Sequence, residues 1–269
     1  MRLVIGDLRW IEQICCVLFA GVFVACGGNN EEMEAEVRSP DVTLVVTTPV
    51  AVEPLQGGGT ISGTVTLDGV PPPVGTYTPN KDAEVCGAEE RTVEDILLGP
   101  EQGIKNVVVS ITNLSKPIVL DRSITGMMAQ KGCLFTPHIV QVAAGAPMTF
   151  LNNDHILHNI HTISEANLSI NKAQPGFMKK RTETFSLPEM IKIQCDVHSW
   201  MSAWIVVQEH PFYAVTDEQG LFTMAHVPRG TYTLKYRHER FGEQTQKVEV
   251  WEAETTPADL SFISPASPL

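Results

Sequence analysis

Residues 193–207 read IQCDVHSWMSAWIVV, in which Cys195, His198 and Met201 follow one another at three-residue steps. A thiol, an imidazole and a thioether are side chains that bind soft or borderline metal ions. Even fully extended, three residues span only about 10 Å, so a tight loop here can bring the groups together. A second cluster, HILHNIH at 155–161, offers His155, His158 and His161. Other chemistries find less support. Structural zinc favours closely spaced Cys and His pairs without methionine, and the C-x-x-C-H of a c-type haem is absent. No nucleophile triad, phosphate loop or carboxylate pair stands out. On this stretch alone, three unrelated side chains at a strand end remain an alternative.

The elements that must position these residues are strands. From Gly59 onward, short runs such as TISGTVTL, IKNVVVSIT, PMTFLNN, AWIVVQ and GTYTLKYRH alternate with Gly, Pro, Asn and Asp clusters, which predicts an all-β protein. VEDILL, at 93–98, is the one stretch that reads as a short turn of helix. If HILHNIH is a strand, His155 and His161 lie at odd spacing from His158 and face the other way. The 269 residues, 43% hydrophobic and 19% charged, can hold one large or two small cores. A net charge of −12 argues against nucleic acid as a partner.

At the N-terminus, Arg2 and Arg9 precede an uncharged run at 14–25. That run is shorter than the roughly 20 residues needed to span a bilayer and reads as a targeting segment. Its end, FVAC, resembles the bacterial lipobox. The resemblance implies a signal peptide over 1–25, lipidation of Cys26, export and anchoring to a membrane at the periplasmic or cell-surface side. Residues 26–57, acidic and then rich in Thr, Val, Pro and Gly, read as a flexible tether. Cys15 and Cys16 fall in the leader, which leaves Cys86, Cys133 and Cys195. Three is odd, so one of them is free or metal-bound.

Two blocks then carry a compound pattern, FTPHIVQVAAGAPMTFLNNDHILHNIH and FSLPEMIKIQCDVHSWMSAWIVV. Together they resemble the cupredoxin, or type 1 blue copper, family, in particular its amicyanin and plastocyanin branches. The resemblance implies copper held by His158, Cys195, His198 and Met201, with His161 as the substitute for His158. It also implies that Asn159 hydrogen-bonds to the backbone beside the cysteine. Two imidazoles, a thiolate and a weak axial thioether suit one-electron transfer between Cu(II) and Cu(I), and Trp200 is placed to screen the site. Leu157 stands where the family has proline. With Cys195 assigned to metal, Cys86 and Cys133 are expected to form a disulfide. His138, His210, His226 and His238 read as ordinary histidines, and the sequons at Asn113 and Asn167 as without function in a bacterial lipoprotein.

The flanks, GTISGTVTLDGVPPP and AVTDEQGLFTMAHVPRGTYTLKYRH, resemble the transthyretin-like, carboxypeptidase-regulatory-like β-sandwich. Gly220 and Gly230 are expected at turns of positive φ, and Phe222, Tyr232 and Leu234 are expected to face inward. The expected architecture is therefore a cupredoxin Greek-key β-sandwich at 128–210. It is inserted in, or packed beside, a transthyretin-like β-sandwich made of 58–127 and 211–265. The expected function is electron transfer with a redox protein partner such as a cytochrome or dehydrogenase, and not enzymatic catalysis. Copper delivery, or a surface binding module with a non-redox metal site, are the alternatives.

Overall fold

The computed structural model describes residues 56–264 except 116, 117, 119, 121 and 122. The segments expected to be a signal peptide and, nearly all of it, a tether, with Cys26, lie outside the described residues. The regular secondary structure of the described residues is almost entirely strand. Ahead of the central region come β1 (Gly59–Asp68), β2 (Thr76–Tyr77), β3 (Arg91–Thr92) and β4 (Val108–Ile111). The central region holds β5 (Gly126–Gln130), β6 (Phe135–Thr136), β7 (Ile139–Ala143), β8 (Pro147–Asn152) and β9 (His158–Ile163). It continues with β10 (Asn171–Gln174), β11 (Lys180–Thr184), β12 (Glu189–Gln194) and β13 (Ser202–Gln208). After it come β14 (Tyr213–Val215), β15 (Leu221–Val227), β16 (Gly230–His238), β17 (Gly242–Val250), β18 (Thr255–Pro257) and β19 (Leu260–Ile263).

The strands sort into two sandwiches. Central strands pair only among themselves, as one sheet in the order β10-β9-β12-β13-β7 and another in the order β11-β8-β5-β6. Their inward residues, among them Met128, Met148, Phe150, Ile160, Ile191, Ile193 and Ile205, form one core. Flanking strands pair as β15-β1-β18, with β19 also on β1, and as β14-β4-β16-β17. Ile61, Val65, Val109, Phe222, Leu234, Tyr236 and Phe262 fill that second core. Chain segments before and after the centre therefore complete one sandwich: β4 pairs antiparallel with β14 and β16, and β1 pairs antiparallel with β15. Sheets form here because strands such as β12, β15 and β16 alternate buried and more exposed residues, so one face of each can leave water, whereas β4, VVSI, is buried throughout.

Between β1 and β4 lies a segment that the sequence groups with the flanks but that reaches the other core. β2 and β3 pair as a small ribbon enclosing a one-turn helix, α1 (Ala83–Cys86). Cys86 is fully buried in the central core and forms a disulfide with Cys133, 47 residues away. The ribbon is tied down again by Arg91, whose guanidinium donates to the Gly132 carbonyl at 3.1 Å.

Two local expectations are corrected. VEDILL does not form helix: Ile96 is buried and Leu98 makes an isolated antiparallel bridge to Ile104, so sheet-like pairing wins over a weak helical pattern. Gly220 has φ of 77° in the turn before β15, as expected, but Gly230 does not adopt positive φ. Space is what Gly230 provides, since a Cβ there would sit 3.2 Å from the Tyr232 ring. Phe222, Tyr232 and Leu234 are all buried in the flanking core.

Candidate metal centre

The site forms at one end of the central sandwich, where β9 begins and β12 ends. Along β12 the buried residues are Ile191 and Ile193, and the same two-residue period carries inward to Cys195. β9 pairs with β12, and on it His158, Ile160 and Thr162 are each 0% exposed. His161 lies on the opposite face, half-exposed, with its Nδ1 2.8 Å from Asp196. The period of the strand thus selects His158 and turns His161 away. His155 is not on the strand at all: it sits in the preceding turn at φ 62°, against Lys179.

The 195–201 loop joins β12 to β13 and closes on itself. Met201 N–H donates to the His198 carbonyl at 3.0 Å, and Cys195 N–H donates to the Met201 carbonyl at 3.2 Å. This turn brings His198 back beside Cys195 and keeps Met201 in the core. Exposure is 0% for His158, 1% for Cys195, 0% for His198 and 0% for Met201.

Three candidate ligand atoms converge. Cys195 Sγ lies 3.9 Å from His158 Nδ1 and 3.8 Å from His198 Nδ1, and the two Nδ1 atoms are 3.0 Å apart. Behind each ring stands a carboxylate. His158 Nε2 is 3.0 Å from Asp154 Oδ2, and His198 Nε2 is 2.9 Å from Asp82 Oδ2. A neutral imidazole has one donor and one acceptor nitrogen. If each Nε2–H donates to its carboxylate, both Nδ1 atoms are bare acceptors pointed at one another and at a sulfur. That arrangement is unfavourable in a buried site unless a cation lies among them. The separations are those that metal–ligand bonds of about 2.0–2.3 Å can bridge. These residues hold the donor set of a copper site, two imidazoles and one thiolate with a buried methionine in the same loop. Burial also holds the His158 pKa below its ordinary value, partly offset by the hydrogen bond to Asp154.

No protein-family model and no curated protein matches the chain. Among solved structures, the "Novel Purple Cupredoxin from Nitrosopumilus maritimus" is 18% identical over 30% of this chain and 98% of its own, with a TM-score of 0.26. A mutant of amicyanin in its oxidized state is 15% identical over 37% of this chain and 98% of its own, at 0.29. The Cu-containing nitrite reductase from Thermus scotoductus SA-01 is 17% identical over 37% of this chain, at 0.30, and the match spans only 25% of the reductase. These likenesses are partial, and no residue's role is taken from them.

Around the ligands lies a polar frame. Asn159 Oδ1 accepts the backbone N–H of Asp196, next to Cys195, at 2.6 Å. Its amide donates to Asn171 Oδ1 and Asp196 Oδ2 at 2.7 and 3.1 Å. Hydrogen bonds from His161, Asn171, Gln194 and Asn159 hold the Asp196 carboxyl down at about 2, against a small opposing effect of burial. Trp200 covers the other side: its ring centroid is 5.2 Å from His198 and 5.8 Å from Tyr77, and its N–H donates to the Cys133 carbonyl at 3.1 Å.

Sequence reasoning missed both carboxylates. Asp154 stands in the NND motif four residues before His158, a spacing that could have flagged it. Asp82 is 116 residues from His198 and carries no local signal. The remaining histidines stay away from the centre. His138 is hydrogen-bonded to Glu239, His210 to Ile111 and His226 to Gly57, and His238 accepts from the Arg240 N–H.

Proposed function

We propose that this protein holds one type 1 copper ion on His158, Cys195, His198 and Met201 and carries single electrons in the cell envelope. The carrying observation is the convergence of two Nδ1 atoms and one Sγ within 3.9 Å of each other, with both Nε2 atoms already engaged. Copper bound there supplies a one-electron couple. The chain's own part is to orient and to exclude. The carboxylates turn the rings so that Nδ1 faces inward, and the loop hydrogen bonds hold Cys195, His198 and Met201 in register. Asn159 pins the backbone after the cysteine, and Trp200 keeps water off the imidazole. A dry cage whose ligands are already placed before the electron arrives needs little rearrangement on transfer.

Four side chains fill the proposed coordination, leaving no position for a substrate, so the protein is read as a carrier and not an enzyme. Copper delivery would require an exchange path to the ion, and ligands that are 0–1% exposed do not offer one. The membrane anchor is Cys26, and the partner is a redox protein such as a cytochrome or dehydrogenase. An anaerobic redox titration of the copper-loaded protein tests the reading. A reversible one-electron couple with copper retained in both states is expected. Copper that is lost on each reduction would instead favour delivery.

A further inference from the structure

Neither ligand histidine reaches solvent, and each is held by a carboxylate from a different part of the chain. Asp154 is on the β8–β9 connection, with its side chain 4% exposed. It does more than meet His158: Oδ1 accepts the Gly132 N–H at 2.6 Å and Oδ2 the Cys133 N–H at 2.9 Å. Asp82 comes from the ribbon between β1 and β4. Its backbone takes the left-handed conformation, φ 48° and ψ 44°, and its side chain is 45% exposed. The Asp82 carbonyl accepts the N–H of Val85 and of Cys86 at 2.9 and 2.8 Å. Both carboxylates are thus anchored on the two halves of one covalent bridge, Asp82 through Cys86 and Asp154 through Cys133. The sulfurs of that bridge lie within 4.8 Å of a ring nitrogen of His198.

This inference rests on the copper reading above: we propose that Asp82 and Asp154 are positioning residues, each presenting one ligand histidine through Nε2, whose charges favour the oxidised ion. The physical reason is direct. A carboxylate behind an imidazole makes the inward nitrogen more electron-rich. Its negative charge also stabilises Cu(II) more than Cu(I), because the interaction scales with the ion's charge. Removing either charge therefore weakens Cu(II) binding more than Cu(I) binding, and the reduction potential rises. Burial orders the two. Asp154 acts with little solvent screening, whereas Asp82 is partly screened.

Asp154→Asn and Asp82→Asn keep the shape and remove the charge. For Asp154→Asn, Cu(II) affinity relative to Cu(I) is expected to fall about tenfold, the lower edge of measured outer-ligand effects. That corresponds to a potential about 59 mV higher. For Asp82→Asn a fall of about threefold is expected, about 30 mV. Asp82→Glu should return the potential toward the parent's, which a purely structural role would not require. Because Asp154 also ties the 132–133 turn, Asp82→Asn is the variant that keeps the test sound if Asp154→Asn fails to fold. A second readout needs no copper: long-range 1H–15N spectra of the copper-free protein should place the neutral proton of His198 on Nε2, and lose that preference in Asp82→Ala, which deletes the acceptor. A parent protein that takes up no copper overturns the copper reading and this inference together. A parent that cycles normally, while folded Asp82→Asn keeps its potential and folded Asp82→Ala keeps the His198 tautomer, overturns this inference alone.

Discussion

His210 and the pair His158 and His198 make an instructive contrast, because all three are buried in β-sandwiches of the same chain. His210 is 6% exposed beside the flanking core, and the backbone answers both of its nitrogens: Nε2 donates to the Ile111 carbonyl at 3.0 Å, and Nδ1 accepts the Phe212 N–H at 3.2 Å. Tyr236 is treated likewise, its hydroxyl 2.8 Å from both Gln246 Oε1 and the Ala258 carbonyl. His158 and His198 have only their outer nitrogens answered, and their inner ones face each other and a cysteine. Buried polar groups satisfied within the chain specify a core. Buried acceptors left facing one another specify a ligand.

The most severe way to separate the two regions is to damage the one without the metal centre. Tyr236→Ala removes a fully buried side chain from the flanking core and should cost about 3–5 kcal/mol of unfolding free energy, measured by denaturant titration. The absorption of copper-loaded folded protein should not change. A moved band would show that the sandwiches do not act separately.

Acid should also weaken the flanking region. Burial lowers the pKa of His238 to about 4, with Glu239 and other neighbours modifying it. The folded state keeps this imidazole neutral, so its contribution is complete above about pH 6.5 and is lost as pH falls toward 4. Unfolding free energies measured at pH 7.5, 5.5 and 4.5 should decline, and less steeply in His238→Gln. A second loss follows at lower pH. Burial raises the Glu189 pKa, but hydrogen bonds from Ser164, Glu165 and Asn167 outweigh it and leave it at about 2. Stability from Glu189 is present above about pH 4.3 and disappears as pH falls through about 2.

The finest comparison is between Asn159 and His161, two residues apart on β9 and both on its outward face. Asn159→Ala deletes the acceptor for the Asp196 N–H and should cost about 1–2 kcal/mol, together with a loss of copper affinity of about tenfold, by equilibrium titration. His161→Ala removes a solvent-exposed contact with Asp196 and should change copper affinity less than about threefold. Equal losses would mean that the outward face, rather than the Asn159 link, holds the loop.

Much of this was legible in the residues. Alternation on HNIHTI and EMIKIQ placed His158 and Cys195 on the same inward side, because a sheet's period of two is strict once one face is buried. The short loop CDVHSWM had no room to spread its donors. What could not be read was long-range. Nothing near Asp82 indicates that a strap between two flanking strands folds over the central sandwich, since the carboxylate and its histidine meet only in three dimensions. Gly230 shows a smaller limit: its sequence context signals a turn of positive φ, whereas its φ is not positive and a Cβ there would meet the Tyr232 ring at 3.2 Å.

The central claim is that Cys195 and two histidines form one copper site, and the absorption spectrum of the copper-loaded protein tests it most directly. A thiolate bound to Cu(II) in a type 1 site should give an intense visible absorption band, the blue of such centres. Addition of a reductant should bleach it and reoxidation restore it, and Cys195→Ser should lack it. Stoichiometric uptake of Cu(II) by a protein that stays colourless, or a Cys195→Ser variant with the same band, would contradict the account.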